Sequence, residues 1–323
     1  MMNKLPAVFV DTPSLGDTIT SIPCIRKIYE AFDNTPITLF TSLPELFINH
    51  PIINKTLPPN KIDRDKYQVY RTFGHLAGKG GILDGEKVEF RHNVIDIRQY
   101  HAIGLGFNLT IDEMETDLYI SDPKPLSLGN YIIIHPTKTW ATRTWDQSKW
   151  QKLIDKINDL GVAVVAIGKN SSETGFWDLD KPIMEGIKIK HGINLLNNPN
   201  VSLANIRWMM NNEAAAVVTM DTGILHLAGT TDVNIIQLGS SIHPKYRAPY
   251  RKGKQTYKYT YVGGSCDIFC SSNMKYGVKE HGTIMGVPPL VNCLENKPTF
   301  ECHPEVDSVY SIIKKMFKQT INE

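Results

Sequence analysis

Two segments of the sequence combine residue types that bind phosphate. Residues 135–145 hold four threonines, one lysine and one arginine, a dense set of hydroxyl and cationic donors. Asp221-Thr222-Gly223 directly follows an apolar run and opens a helical pattern that carries His226. Backbone N–H groups at such a helix start attract anions, and the Asp221 carboxylate could accept hydrogen bonds from sugar hydroxyls. The alternatives are a polar loop anchored by its tryptophans and a structural histidine.

Two further acidic residues stand in loops after apolar runs. Gly16-Asp17 follows the first run, and a carboxylate at that place could act as a general base on an acceptor hydroxyl. The competing interpretation is that Asp17 caps the following helix. Glu173 lies in the loop after Ile167, where an acid could hold ribose hydroxyls. A solvated loop charge is the alternative for Glu173.

Four of the five cysteines fall within residues 266–302. They are spaced as Cys266-x3-Cys270 and Cys293-x8-Cys302, which is looser than the usual zinc knuckle. In a cytosolic protein, clustered thiols favour a structural metal over disulfides, and thiolates suit both Zn and Fe. Reduced, unligated thiols are the alternative.

A basic stretch at residues 243–258 contains no acidic residue and interleaves three tyrosines with its cations. Basic and aromatic groups together suit nucleic acid, and they suit a phosphorylated lipid-sugar acceptor equally well. A solvated loop is the default interpretation. The cations are Lys245, Arg247, Arg251, Lys252, Lys254 and Lys258.

The composition sets limits on the class of protein. The chain has 323 residues, of which 41% are hydrophobic and 21% charged, with a net charge of +2. This argues against a histone-like or an acidic disordered protein. No apolar run reaches the ~18 residues that span a bilayer, and the N-terminal run is too short for a secretory signal. These features favour a cytoplasmic, soluble protein of two domains.

The elements that must position these residues alternate between strands and helices, as is typical of parallel sheets. Apolar runs predict strands at residues 7–10, 37–41, 68–73, 117–120, 131–134, 162–167, 215–220 and 234–238. Helical spacing predicts helices at residues 19–32, 93–106, 145–160, 202–211 and 304–323. Residues 74–92 hold five glycines and predict a mobile loop.

Residues 121–130 carry two prolines and a glycine and are the best linker candidate. We therefore predict an α/β protein of two Rossmann-like, doubly wound domains whose parallel sheets face a cleft. The predicted divisions are 1–125, 126–303 with the cysteine-rich segment, and a final helix at 304–323.

In this order, the motifs resemble those of glycosyltransferase family 9, the heptosyltransferase family, which has the GT-B fold. Gly16-Asp17 with Pro23 is similar to the acceptor-side motif, and residues 135–145 are similar to the His-Pro-…-Lys/Arg-x-Trp motif. Asp221-Thr222-Gly223-x-x-His226 with Ala228 is similar to the most specific signature of the family. The resemblance covers roughly residues 7–245. It implies an acceptor-side domain at 1–125, a donor domain at 126–303 and a final helix that packs back on the first domain.

The resemblance also implies roles. Asp17 would deprotonate the acceptor hydroxyl in an inverting displacement that needs no metal for its chemistry. The implied donor site comprises Thr137, Lys138, Arg143, Thr222, Gly223 and His226 at the diphosphate, Asp221 at the sugar and Glu173 at the nucleoside. An ADP-linked sugar is the favoured donor. Some members carry a cysteine-bound metal near the C-terminus, which here would be structural Zn or Fe.

Two departures limit what the resemblance implies. Arg143 stands where the family usually has Lys, and Pro136-Thr137 replaces the usual Pro-Gly. The acceptor is therefore open between a glycan, a protein and a modified DNA base, as in phage-type enzymes. Two other functional classes stay open, namely a non-catalytic GT-B-like binding module with a metal finger and an epimerase that acts on the donor alone.

Overall fold

A computed structural model describes residues 4–10, 12, 14–72, 80–83, 86–89, 95–137, 141–169, 184, 186–251, 258–272, 293 and 295–321. The chain divides into two compact units. The first comprises Met1–Ser121 and Lys245–Gln255, and the second comprises Asp122–Pro244 and Thr256–Glu323. The division after Ser121 lies beside the proposed linker. The sequence pattern contains no sign that the basic stretch returns to the first unit.

The first unit contains a four-stranded parallel sheet in the order β3-β2-β1-β4. The strands are β1 (Leu5–Phe9), β2 (Ile37–Phe40), β3 (Ile53–Leu57) and β4 (Tyr67–Arg71). The helices are α1 (Leu15–Thr20), α2 (Ile22–Ala31) and α3 (Ile97–Ile103). Ala7 and Val8 are fully buried because β1 lies between two parallel neighbours and is covered on both faces.

A short antiparallel pair also belongs to the first half of the chain. β5 (Gly80–Leu83) pairs with β6 (Glu86–Glu89), with Gly80 opposite Glu89. The predicted loop over 74–92 is therefore wrong for these residues, and the remainder of that range lies outside the described residues. Asp84-Gly85 is a sequence typical of a hairpin turn, which the abundance of glycine obscured.

The predicted strand at residues 117–120 is also wrong, because the segment has no regular secondary structure. The alternation of apolar and polar residues in this segment has another cause. Leu118 and Ile120 are both 3% exposed, and the Asp117 carboxylate accepts a hydrogen bond from Arg26 of α2. The segment thus packs on the first unit without pairing with a strand of its sheet.

The second unit contains a six-stranded parallel sheet in the order β12-β11-β10-β7-β8-β9. Its strands are β7 (Tyr131–Ile134), β8 (Ala163–Ala166), β9 (Gly192–Asn194), β10 (Ala214–Thr219), β11 (Asn234–Leu238) and β12 (Tyr259–Val262). Its helices are α4 (Gln147–Asp159), α5 (Leu203–Asn212), α6 (Gly223–Gly229) and α7 (Val306–Ile321). The edge strands β9 and β12 are short and partly exposed, so they lack the apolar run that predicts the central ones.

The register of this sheet determines which loops meet. Ile134 at the end of β7 lies opposite Val218 of β10 on one side and Ala166 of β8 on the other. The loops that follow these three strands therefore leave the same carboxyl edge side by side. Ligands of open parallel sheets bind at this edge.

The final helix, α7, packs on α4 of the second unit. Its packing on the first domain stays a prediction. Val309 and Ile313 are fully buried in a core shared with Trp150 of α4. Lys156 of α4 also binds the Asp307 carboxylate at 3.0 Å. Residues three and four apart lie on one face of a helix, so the apolar residues of α7 form a stripe. This stripe packs against α4.

The described part of the chain contains no helix that combines the length and the apolar character needed to cross a membrane.

Candidate active site

Asp17 lies in the first turn of α1, just beyond the carboxyl end of β1. Ser14 caps this helix, because its backbone is extended and its Oγ accepts a hydrogen bond from the Asp17 N–H at 3.5 Å. The interpretation of Asp17 as the cap is therefore wrong. Its half-buried carboxylate is not engaged in capping.

Two residues of α3 respond to the charge of Asp17. Burial, with a smaller effect of the Asp17 charge, raises the pKa of Tyr100 to about 12. Burial lowers the pKa of His101, and the nearby Asp17 charge acts in the opposite direction. The Asp17 carboxylate is therefore close enough to α3 to act electrostatically on the buried Tyr100 and His101.

In the second unit, the ring of His135 joins the ends of β7 and β10. His135 Nδ1 lies 3.1 Å from Thr222 Oγ1 and 3.3 Å from Thr219 Oγ1. Thr137 Oγ1 is 3.4 Å from the same ring. Burial lowers the pKa of His135 to about 3, so the ring is neutral near pH 7. It therefore orients hydroxyl groups of both loops without adding charge.

Asp221 and Arg143 form an ion pair within this site. Arg143 Nε lies 3.5 Å from Asp221 Oδ2, and the guanidinium also donates a hydrogen bond to the Asp221 carbonyl. The Asp221 side chain is 1% exposed and that of Arg143 is 19% exposed. The loop after β10 is thereby tied to the loop after β7.

Gly168, at the end of β8, allows a third loop to approach. Its φ is +151°, and an added Cβ would stand 2.8 Å from Thr137 Cγ2. Only glycine fits this position without displacing Thr137. The three adjacent loops of the carboxyl edge therefore converge on Thr137 and His135.

The remaining predicted donor residues differ in what can be said of them. Gly223 is the first residue of α6, and His226 lies within that helix with 6% of its surface exposed. Lys138 and Glu173 lie outside the described residues. Asp17 belongs to the first unit, and the other described site residues belong to the second.

Sequence reasoning assigned no role to the residues that support the site, although His135 opens the motif at residues 135–145. His135 and Thr219 are polar residues at the end of apolar runs. The change from apolar to polar residues at these positions could have indicated a role in the site. Gly168 also ends an apolar run, but a single glycine does not reveal its φ. His101 lies on a different element from Asp17, so no sequence pattern around Asp17 indicates its contact with α1.

The four late cysteines influence one another electrostatically. Burial, followed by the charge of Cys293, raises the pKa of the Cys270 thiol to about 11. Burial, followed by the charge of Cys270, raises the pKa of Cys302 to about 12. The Cys266 N–H donates to the Glu301 carbonyl at 3.1 Å, which places Cys266 beside Cys302. Even so, no three His, Cys, Asp or Glu side chains in the described ranges are arranged as a metal site.

The basic stretch is not a simply solvated loop. Arg247 and Arg251 are 5% and 7% exposed. Arg98 of α3 donates to the Ala248 carbonyl at 2.9 Å, and the Tyr250 hydroxyl donates to Asp112 at 3.1 Å. Residues 245–251, which we call the return segment, are therefore anchored on the first unit. Lys252 and Lys254 lie outside the described residues.

Comparisons with known proteins add independent evidence. The family model for glycosyltransferase family 9 (heptosyltransferase) matches residues 103–264, which include all the described donor-site residues and half of the chain. The chain belongs to glycosyltransferase family 9. It is therefore a glycosyltransferase, and the predicted family and enzyme class are confirmed. Comparison of the sequence with curated proteins found no match.

Solved structures agree on the fold of this family 9 enzyme. The iron-containing dodecameric glycosyltransferase TibC of enterotoxigenic E. coli H10407 is similar with a TM-score of 0.68 at 16% identity, over 98% of this chain and 77% of TibC. E. coli ADP-heptose lps heptosyltransferase II is similar with a TM-score of 0.56 at 14% identity, over 98% of this chain and 99% of that one. The predicted α/β fold with parallel sheets, of the GT-B type, is confirmed.

Proposed function

We propose that this enzyme transfers a heptose-like sugar from an ADP-linked donor to a hydroxyl acceptor, with inversion at the anomeric carbon and Asp17 as the general base. One observation carries the proposal. The Asp221-Thr222-Gly223-x-x-His226 signature stands at the carboxyl end of β10, where Thr222 is bonded to His135 from the neighbouring strand end. The family signature is thus built into one hydrogen-bonded site.

The proposed reaction is a single displacement. Asp17 accepts the proton of the acceptor hydroxyl while that oxygen attacks the anomeric carbon of the donor. The new C–O bond forms on the face opposite the diphosphate, the bond to the diphosphate oxygen breaks, and the nucleoside diphosphate leaves with the electron pair. Protons and charges balance without a further reactant.

The residues of the donor site are proposed to bind the diphosphate and to stabilise it as it leaves. Arg143 and Lys138 supply positive charge, and Thr137, Thr222, Gly223 and His226 supply hydrogen bonds. Glu173 is proposed to contact the nucleoside. Asp221 is almost wholly buried and paired with Arg143, so its proposed contact with the donor sugar requires that pair to open.

Structural relatives support an ADP-linked donor as the first choice. TibC is described in complex with ADP-D-beta-D-heptose at 17% identity and a TM-score of 0.68, and E. coli heptosyltransferase WaaC is described with ADP. The acceptor is proposed to be a glycan or a protein hydroxyl. A modified DNA base is a weaker choice, because Arg247 and Arg251 are buried and do not present a cationic surface.

A thermal-shift screen with ADP, UDP, GDP and CDP tests the donor site. We expect ADP to raise the melting temperature more than the other three nucleotides, because ADP matches the proposed donor. A ligand at 100 times its Kd stabilises the folded state by ~2.7 kcal/mol. Thr222→Val should remove this shift, whereas Thr260→Val on the exposed side of β12 should retain it. Absence of a shift with all four nucleotides contradicts the donor site. Product analysis with the donor alone then separates transfer from epimerisation.

We also propose that Cys266, Cys270, Cys293 and Cys302 hold a structural Zn or Fe ion. Four thiols are a suitable donor set in kind and number, and a bound cation would favour their thiolate forms, which burial and neighbouring cysteines otherwise disfavour. The ion would stabilise the fold around them and takes no part in transfer. Mass spectrometry of the native protein should detect one bound metal, lost in Cys270→Ser and retained in Cys24→Ala. A metal-free wild-type protein contradicts the proposal.

A further inference from the structure

His101 is a fully buried side chain at the centre of the first unit, outside every motif of the sequence. Its Nδ1 lies 2.7 Å from the carbonyl oxygen of Thr72, just after β4. Its Nε2 lies 3.3 Å from Thr20 Oγ1, in the last turn of α1. The ring therefore connects three elements, α3, the end of β4 and α1.

The two contacts determine the protonation of the ring. A carbonyl oxygen only accepts, so Nδ1 must carry the proton that is donated to Thr72. Burial lowers the pKa of His101, so the ring is neutral and Nε2 is an acceptor. The hydrogen bond at Nε2 must then come from the Thr20 hydroxyl.

Thr20 also contacts the turn that carries Asp17. Thr20 Oγ1 is also 2.9 Å from the Gly16 carbonyl and 3.2 Å from the Asp17 carbonyl. Because a hydroxyl carries a single proton, Thr20 shares it in a three-centre hydrogen bond between His101 Nε2 and the carbonyl oxygen of Gly16. The helix that carries Asp17 has only six residues, and the Thr20 hydroxyl joins its first turn to His101 of α3.

Three charged groups act electrostatically on the His101 ring. Asp17 of α1 and Asp96, which caps α3, favour the protonated ring, and Arg247 of the return segment opposes it. The ring and Thr20 are both almost fully excluded from solvent. Desolvation therefore keeps the neutral, Nδ1-protonated form in place.

We propose that His101 is a positioning residue for Asp17, holding the first turn of α1 at the carboxyl end of β4 through the hydroxyl of Thr20. The inference rests on the proposed role of Asp17 as general base. His101 itself does not touch substrate. A general base that is displaced by about 1 Å loses much of its effect on the rate, because proton transfer depends on hydrogen-bond distance.

The first arm of the test is independent of activity. Imidazole ¹⁵N spectra of histidine-labelled protein, assigned with His101→Asn, should show His101 protonated at Nδ1 alone at pH 7. The Asp17 ¹³Cγ signal, assigned with Asp17→Asn, should move in Thr20→Val and stay in place in Thr20→Ser. Protonation at Nε2, or an unmoved Asp17 signal in Thr20→Val, overturns the proposal.

The second arm measures transfer. Thr20→Val should lower kcat about tenfold with little change in either KM, and Thr20→Ser, which retains the hydroxyl, should restore at least half of the wild-type kcat. Equal loss in both variants, or a change confined to KM, overturns the positioning role. If wild-type protein transfers no sugar, the proposed function fails and the spectra alone decide the role of His101.

Discussion

The Nε atom of Arg143 lies 3.5 Å from Oδ2 of Asp221, and this pair joins the loop after β7 to the loop after β10. The carboxylate is almost fully buried, so it depends on the guanidinium for compensation. The same guanidinium donates to the Asp221 backbone, which lysine could not reproduce with the same planar geometry. Arginine at this position therefore has a structural basis in the site.

Replacement of Arg143 tests that relationship. Arg143→Lys retains the charge and loses the planar fork, so we expect the Kd for the nucleotide to rise about tenfold, corresponding to ~1.4 kcal/mol. Arg143→Ala should weaken binding and turnover together, whereas Lys190→Ala, on a 74% exposed side chain, should change neither. Titration calorimetry with ADP measures the first effect. A change confined to the acceptor KM would contradict a role at the diphosphate.

Asp17→Asn keeps the size of the side chain and removes the proposed base. We expect kcat to fall by about 10²-fold or more, with the Kd for the donor within twofold of wild type. Asp65→Asn, an exposed change in the same unit, is the control. Radiolabel transfer and calorimetry separate the two quantities. Wild-type activity in Asp17→Asn excludes this residue as the base.

The burial of His135 makes stability depend on pH. Its pKa is about 3 in the folded state against 6.5 as the ordinary value. Below pH 6.5 the unfolded chain binds a proton that the folded chain does not, so stability is lost as pH falls from 6.5 towards 3, by about 1.4 kcal/mol per pH unit. His135→Asn should reduce the slope of unfolding free energy against pH, and the exposed His191→Asn should not. An unchanged slope in His135→Asn would mean that folding leaves the pKa of the ring at its ordinary value, contrary to the expectation.

Gly168→Ala tests the convergence of loops on Thr137. The added Cβ would stand 2.8 Å from Thr137 Cγ2, so we expect weaker nucleotide binding together with lower stability. Gly161→Ala is the matched control, because Gly161 also has a positive φ of +78° but an added Cβ there meets nothing within 4 Å. The control should lower the melting temperature and leave the Kd unchanged. Equal effects of both variants on the Kd would argue against a close approach at Gly168.

The packing of α7 predicts where the C-terminal helix contributes stability. Ile313→Ala removes a fully buried side chain and should cost about 2–5 kcal/mol in unfolding free energy. Lys315→Ala, on the exposed face of the same helix, should cost less than ~0.5 kcal/mol. Urea unfolding measures both. A small loss in Ile313→Ala would mean that α7 is not part of the core around α4.

Much of the architecture follows from local sequence. The buried central strands are continuous apolar runs, and their alternation with amphipathic helices predicts parallel sheets because both faces of each strand are covered. Edge strands such as β3 and β9 are only half covered and carry mixed residues, so no run marks them. The segment at 117–120 shows the reverse error, since burial of alternate side chains produced a strand-like pattern without strand pairing.

The site was less predictable than the fold. Thr222, Asp221 and Arg143 could be found because they belong to short motifs at strand ends. The contacts that support them join residues far apart in sequence, such as His135 with Thr222 and His101 with Thr20. Spacing along one segment does not encode these distances. The Ser14 cap of α1 could be predicted from the sequence, because Ser-x-x-Asp at a helix start is a capping pattern.

The return segment means that the first unit is not one continuous stretch of chain. Residues 1–121 end before the Ala248 carbonyl that Arg98 binds and before the Tyr250 that binds Asp112. A fragment cut at residue 121 would thus expose the guanidinium of a side chain that is now 3% accessible. Chimeras that exchange the first unit between family members therefore need three junctions, after residues 121, 244 and 255. A single crossover after residue 121 would combine the return segment of one parent with the residues of the other parent that bind it.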